Sequence, residues 1–157
     1  MKRPLFIILG IAIILLVYIL WLAPTPAPES GTASLPQKVI TVDGHEFTVE
    51  LATTAQDMAQ GLGDRDSLPT DHGMLFVYPK AGIYGFWMRH MRFPLDIIWF
   101  RDGKAVDIAL NMPAPRIIKE LPAVHEPTVK ADMVLEINAG QAQALGLKLG
   151  SELKLGQ

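Results

Sequence analysis

The amino-acid sequence predicts an all-β fold, an antiparallel sandwich or barrel with one or two short helices, preceded by a single N-terminal transmembrane helix. Three observations carry this expectation. Residues 5–23 form an unbroken run of eighteen apolar residues and one Gly, long enough to cross a bilayer. Two Asp-Gly dipeptides, Asp43-Gly44 and Asp102-Gly103, each stand between segments that alternate apolar and polar residues, the mark of a hairpin closed by a type I′ turn. The other apolar segments are short and separated by turn residues, and no long helical pattern is present to cross over a parallel sheet.

From the N-terminus, a helix of 19 residues rises about 28 Å at 1.5 Å per residue, close to the hydrocarbon thickness. Lys2 and Arg3 precede the run and the first charge beyond it is Glu29. The positive-inside rule then keeps residues 1–4 in the cytoplasm and exports the rest. A cleavable signal peptide is the competing reading, but its apolar region runs only ~7–15 residues and ends at a small-x-small site. Here Thr25-Pro26-Ala27 is followed by Pro28, and Gly31-Thr32-Ala33 lies well past the run, which favours an uncleaved anchor. Residues 24–37, with four Pro among small polar residues, read as a linker. As polyproline II, at ~3.1 Å per residue, it holds the domain up to roughly 40 Å from the membrane.

Residues 38–157 are long enough for one soluble domain with a core, not two. KVITVDGHEFTVEL is the first hairpin; Thr54-Ala55-Gln56-Asp57 is a capping box opening a short helix that Gly61 or Gly63 would end. Strands are expected at 73–79, at 83–91, in the second hairpin at 97–110, at 132–138 and at 151–155, with one or two helical turns between Ala139 and Leu145.

Composition excludes several kinds of chemistry. The chain has 14 Lys and Arg against 16 Asp and Glu, with the basic side chains scattered, so nucleic acid is not an expected partner. Cys is absent, which removes disulfides, a thiolate nucleophile and Cys-based zinc sites. No cofactor is implied.

The order GLGDRDSLPTDHGMLFVYP, FWMRHMRFPLDIIWF, DGKAVDI, VLEINAGQAQALGLKLGSEL resembles the domain-of-unknown-function-192 family of bacteria and archaea, from about Val39 to Leu155. The resemblance implies a compact, mostly antiparallel β domain, commonly exported, with no established activity. With the anchor read at 5–23, the expected location is the bacterial inner membrane, with the domain in the periplasm or outside the cell, or secretion if the segment is cleaved. The chain departs from the family pattern in two places. Arg89-His90-Met91 stand where the family usually has Lys-Asn-Thr, and the Cys pair that relatives often carry before VLEIN is missing. The loop from Asn111 to Lys130 is then expected to hold its shape through Pro stiffness and packing of Ile117, Ile118 and Leu121.

Asp96 is the most informative residue, because it stands within FPLDIIWF on a strand expected to be buried, where an uncompensated carboxylate costs several kcal/mol. The resemblance makes Arg65 its candidate partner, with Arg89 the alternative. A carboxylate accepting backbone N–H groups is the other structural reading; catalysis would make Asp96 a general base, with His90 as a second acid-base candidate. Trp87 beside Arg65, Arg89 and Asp96 suits a ligand with a flat apolar face and polar substituents. Met88 and His90 offer soft-metal ligands of the kind that select Cu(I), although a regular strand puts only those two on one face and Met91 on the other, so Met74 or Met112 would have to join. His45 and His125 are read as surface residues. The function expected is a non-enzymatic, membrane-anchored module binding a cell-envelope glycan or peptide. The alternatives are a hydrolase or isomerase using Asp96 or His90, a Cu(I) site, and an assembly partner of a membrane complex.

Overall fold

The computed structural model describes residues 35–116 and 120–156. The expected membrane segment at 5–23, most of the linker, and Ile117 and Ile118 lie outside the described residues. Among the described residues no helix is long and apolar enough to cross a membrane. The elements follow in the order β1 (Gln37–Val42), β2 (His45–Ala52), α1 (Ala55–Gln60), β3 (His72–Gly82), β4 (Phe86–Trp87), β5 (Leu95–Arg101), β6 (Lys104–Met112), β7 (Val124–His125), β8 (Ala131–Asn138), α2 (Gln141–Ala144) and β9 (Leu153–Leu155). The domain is thus predominantly β with two short helices.

Both expected hairpins form, β1–β2 and β5–β6. Asp43 and Gly44 have φ of 50° and 85°, and Asp102 and Gly103 of 51° and 76°, the paired positive values that a type I′ turn needs. Thr54 caps α1, its hydroxyl accepting from the Asp57 N–H at 3.2 Å, and Gly61 ends the helix with φ 53°.

Seven strands make one sheet in the order β6-β5-β8-β3-β2-β1-β9. The sheet curls until its edges meet. Ala105 N donates to Ser151 O at 2.9 Å and Leu153 N to Gly103 O at 2.7 Å, joining the start of β6 to the chain entering β9. The β1–β2 turn is tied to the same place, with Asp43 N donating to Glu152 O at 3.0 Å and Glu152 N to an Asp43 carboxylate oxygen at 2.7 Å.

The expected antiparallel pairing holds except at one junction. β2 and β3 run parallel, Thr48 opposite His72 and Ala52 opposite Phe76. The connection at 53–71 carries α1 and is long enough to bring the chain back over the sheet, so a crossover needs no long helix.

Two apolar clusters cover the two faces. Met74, Phe76, Ile97, Trp99 and Val134 belong to one; Leu75, Ile98, Phe100, Leu135 and Ile137 to the other. Successive side chains point to opposite faces, so strands buried on both sides read as continuous apolar runs. This accounts for LDIIWF and MVLEIN, each burying about 1.5–3 kcal/mol per large apolar side chain.

The expected strand at 83–91 is also corrected. Only Phe86 and Trp87 are extended, pairing with Val124 and His125 of β7 in a separate ribbon. Met88 N then donates to Ala123 O, and Met91 N turns back on Met88 O at 3.3 Å, with His90 at φ 60°. The turn buries Met88 and Met91 in the same cluster, which strict alternation would forbid. Leu121 does not pack as expected: it is 90% exposed, and Ala123 takes the place against the core.

Candidate functional site

The ribbon and its following turn build a groove of about 880 Å³ lined by Trp87, Arg89, His90, Met91, Asp64 and Pro122 among others. Trp87 is 54% exposed, because β4 buries Phe86 and turns its neighbour outward. The Arg89 guanidinium lies 5.4 Å from the Trp87 ring centroid, a cation–π distance. Arg89 has no carboxylate partner among the described residues, whereas Arg92 is paired with Asp66 at 2.5 Å. Asp64 holds the turn from the other side: its N–H donates to His90 O at 2.9 Å, and its carboxylate lies 3.6 Å from His90 Nδ1. A smaller hollow of about 230 Å³, also bordered by Ala59 and Gln60, shares Asp64, Arg89 and His90 with the groove.

Asp96 stands elsewhere. It is fully buried, and its two oxygens accept from Asn111 N at 2.8 Å and Ala142 N at 2.9 Å. Of the two structural readings, the carboxylate takes the one with backbone N–H donors, and the pairing with Arg65 or Arg89 is corrected: two backbone groups compensate its burial without an arginine. Arg65 instead makes a bidentate pair with Glu50, at 2.6 and 2.8 Å. That pairing holds the Glu50 carboxyl below its ordinary value, chiefly through the hydrogen bonds from Arg65. Of the four residues expected to share a ligand site, the groove takes Trp87 and Arg89 and leaves out Arg65 and Asp96.

The two soft-metal candidates are separated by the turn. Met88 is fully buried, while the His90 side chain is 54% exposed.

Two features escape the sequence reading. Glu136, on β8, is only 5% exposed, and its Oε2 has no hydrogen-bond partner among the described residues. Desolvation pushes its pKa up to about 8 against the opposing pull of Arg65. An acidic residue inside an apolar strand, the signal that marks Asp96, marks Glu136 in MVLEIN equally well. The second is His125, expected on the surface but packed 4.9 Å from the Trp99 ring, with Nε2 buried and 3.4 Å from Asp107. Its two-residue strand carries too little periodicity to reveal which way it faces.

The model of the domain-of-unknown-function-192 family, described as uncharacterized ACR, matches residues 38–155. The chain belongs to this family. A protein of unknown function from Novosphingobium aromaticivorans, known from a crystal structure, is 34% identical, covering 84% of this chain and 94% of that one with a TM-score of 0.71. A second, from Sinorhizobium meliloti and described as a proposed transcription regulator, is 30% identical, covering 80% of this chain and 98% of that one with a TM-score of 0.72. Among curated proteins the chain has no match. In this domain-of-unknown-function-192 protein, Arg89, His90 and Met91, the positions at which the resemblance implied Lys-Asn-Thr, all line the groove.

Proposed function

We propose that the chain is a membrane-tethered, extracytoplasmic binding module, non-enzymatic, that takes a cell-envelope glycan or peptide into the groove beside Trp87. The carrying observation is the half-exposed Trp87 ring with the Arg89 guanidinium 5.4 Å from its centroid. An indole takes a flat apolar face, and a guanidinium with no carboxylate partner among the described residues is available to a ligand carboxylate or hydroxyl. The apolar run at 5–23 and the Pro-rich linker support a location at the bacterial inner membrane with the domain outside the cytoplasm. A net charge of −2 gives the chain no overall attraction for a phosphate backbone.

The enzymatic reading has less support, since both Asp96 oxygens are engaged by backbone N–H groups away from the groove. A Cu(I) site would need Met88 to leave the core, and an assembly role rests on the membrane segment alone.

The test is a titration of the full chain in detergent with glycan fragments and peptides released from purified cell envelope. Affinity should fall at least tenfold, about 1.4 kcal/mol, in Trp87→Ala and in Arg89→Ala. Unchanged affinity in both variants would overturn the reading.

A further inference from the structure

Glu136 is buried with its Oε2 unpartnered among the described residues. Its neighbours across the sheet are Met74 on β3 and Ile97 on β5, both in the apolar cluster. Directly opposed residues share a face. Continuing the row past Met74 reaches Glu50 on β2, about 10 Å from Glu136 in backbone terms, at two strand spacings.

The chain after α1 closes over this spot. A Cβ built on Gly61 would lie 3.9 Å from Glu136 Oε2 and 3.5 Å from Phe76 Cζ. Leu62, 1% exposed, anchors the same segment in the cluster. The titratable groups around Glu136 are few. From the loop comes Arg65; from β3 come Tyr78, which burial and the charges of Tyr84 and Glu136 push up to about 12, and His72, two residues before Met74 and acting on Glu50; from β2 comes Glu50. β5 adds none, because Asp96 is turned to Ala142.

We propose that Glu136 is a proton-operated latch on the segment Gly61–Asp66: protonated, it lets the segment lie closed over the sheet, and deprotonated, it drives the segment to open. With the proton on, the carboxyl is neutral and Arg65 stays committed to Glu50. With the proton off, a charge stands in an apolar site whose nearest cation, Arg65, is held in a bidentate pair with Glu50. It can be solvated only by drawing Arg65 inward or by admitting water beneath Gly61, and either move displaces the segment. The pKa of about 8 puts the transition in a range that an extracytoplasmic domain can meet. Asp64 lies on the segment and is bonded to His90, so opening also moves one wall of the groove. The latch does not depend on what the groove binds.

The experiment is amide exchange on the full chain in detergent, corrected for the intrinsic pH dependence of exchange. The opening constant of the Leu62–Asp66 amides should rise about tenfold from pH 7 to pH 9, and this rise should vanish in Glu136→Gln, a neutral isostere. A flat profile in the unaltered chain, or the same rise in Glu136→Gln, would overturn the proposal. Should the variant fail to fold, a carbon-13 titration of the glutamate carboxyls in the unaltered chain decides: a midpoint near 8 for Glu136 supports the latch, and one in the ordinary glutamate range refutes it.

Discussion

Asp96 and Ala142, 46 residues apart, are joined by a hydrogen bond of 2.9 Å from the Ala142 N–H to the Asp96 carboxylate. The other oxygen takes the Asn111 N–H at 2.8 Å, so one side chain clips the end of β6 and the start of α2 to β5. Replacing it leaves two donors short of an acceptor, one of them fully buried. Asp96→Ala should lose about 2–4 kcal/mol of stability while the groove, which Asp96 does not line, keeps its affinity per folded molecule. Chemical denaturation together with ligand titration checks this; a fully stable variant with no binding would instead put Asp96 in the site.

The two tryptophans of the domain should respond oppositely. Trp99 is fully buried and its indole N–H donates to Tyr84 O at 2.7 Å, so Trp99→Ala should cost about 3–5 kcal/mol. Trp87→Ala, at an exposed ring, should stay within about 0.5 kcal/mol. Thermal unfolding of the two variants side by side makes the measurement.

Stability should fall as pH rises through neutrality. The folded-state pKa of Glu136, about 8, lies above its ordinary 4.5, so the folded chain holds the extra proton between those values. The slope is at most about 1.4 kcal/mol per pH unit, and the loss levels off above the folded value. Glu50 acts in the opposite sense: its lowered pKa contributes stability that is present above the ordinary glutamate value and lost as pH falls through the folded one. Denaturation midpoints at pH 5, 7 and 8.5 should therefore decline in order, and Glu136→Gln should flatten the series; an undiminished slope in that variant would assign the effect to another group.

Gly61 combines φ 53° with ψ −140°, a region that side chains bearing a Cβ rarely enter. The space beside it is not the obstacle, since the nearest contact would be Phe76 Cζ at 3.5 Å. Gly61→Ala should thus cost about 1–3 kcal/mol through backbone strain alone, read by urea denaturation at pH 7.

The hairpins at Asp43-Gly44 and Asp102-Gly103, the Thr54 cap and the strand at β8 were legible in the chain because each rests on neighbours in sequence: a turn that needs positive φ, a cap three residues from its donor, an alternation over a few positions. The parallel β2–β3 pair was not legible, because nothing in residues 53–71 says which side of β2 the returning strand will join. The candidate site was half legible. Trp87 and Arg89 stand two apart and reach the same groove, but the reading of 83–91 as a regular strand failed where two methionines were worth more buried than one was worth alternating.

By itself the sequence determined the family, the predominantly β architecture and the presence of an acidic residue where an apolar strand should tolerate none. Only the tertiary structure decided which partner each charged group received. Asp96 found backbone N–H groups, Arg65 found Glu50, and Glu136 found no hydrogen-bond partner for Oε2. The reason is physical: secondary structure is set by contacts a few residues long, whereas the environment of a buried charge is set by whatever distant segments the closing sheet brings within about 3 Å of it.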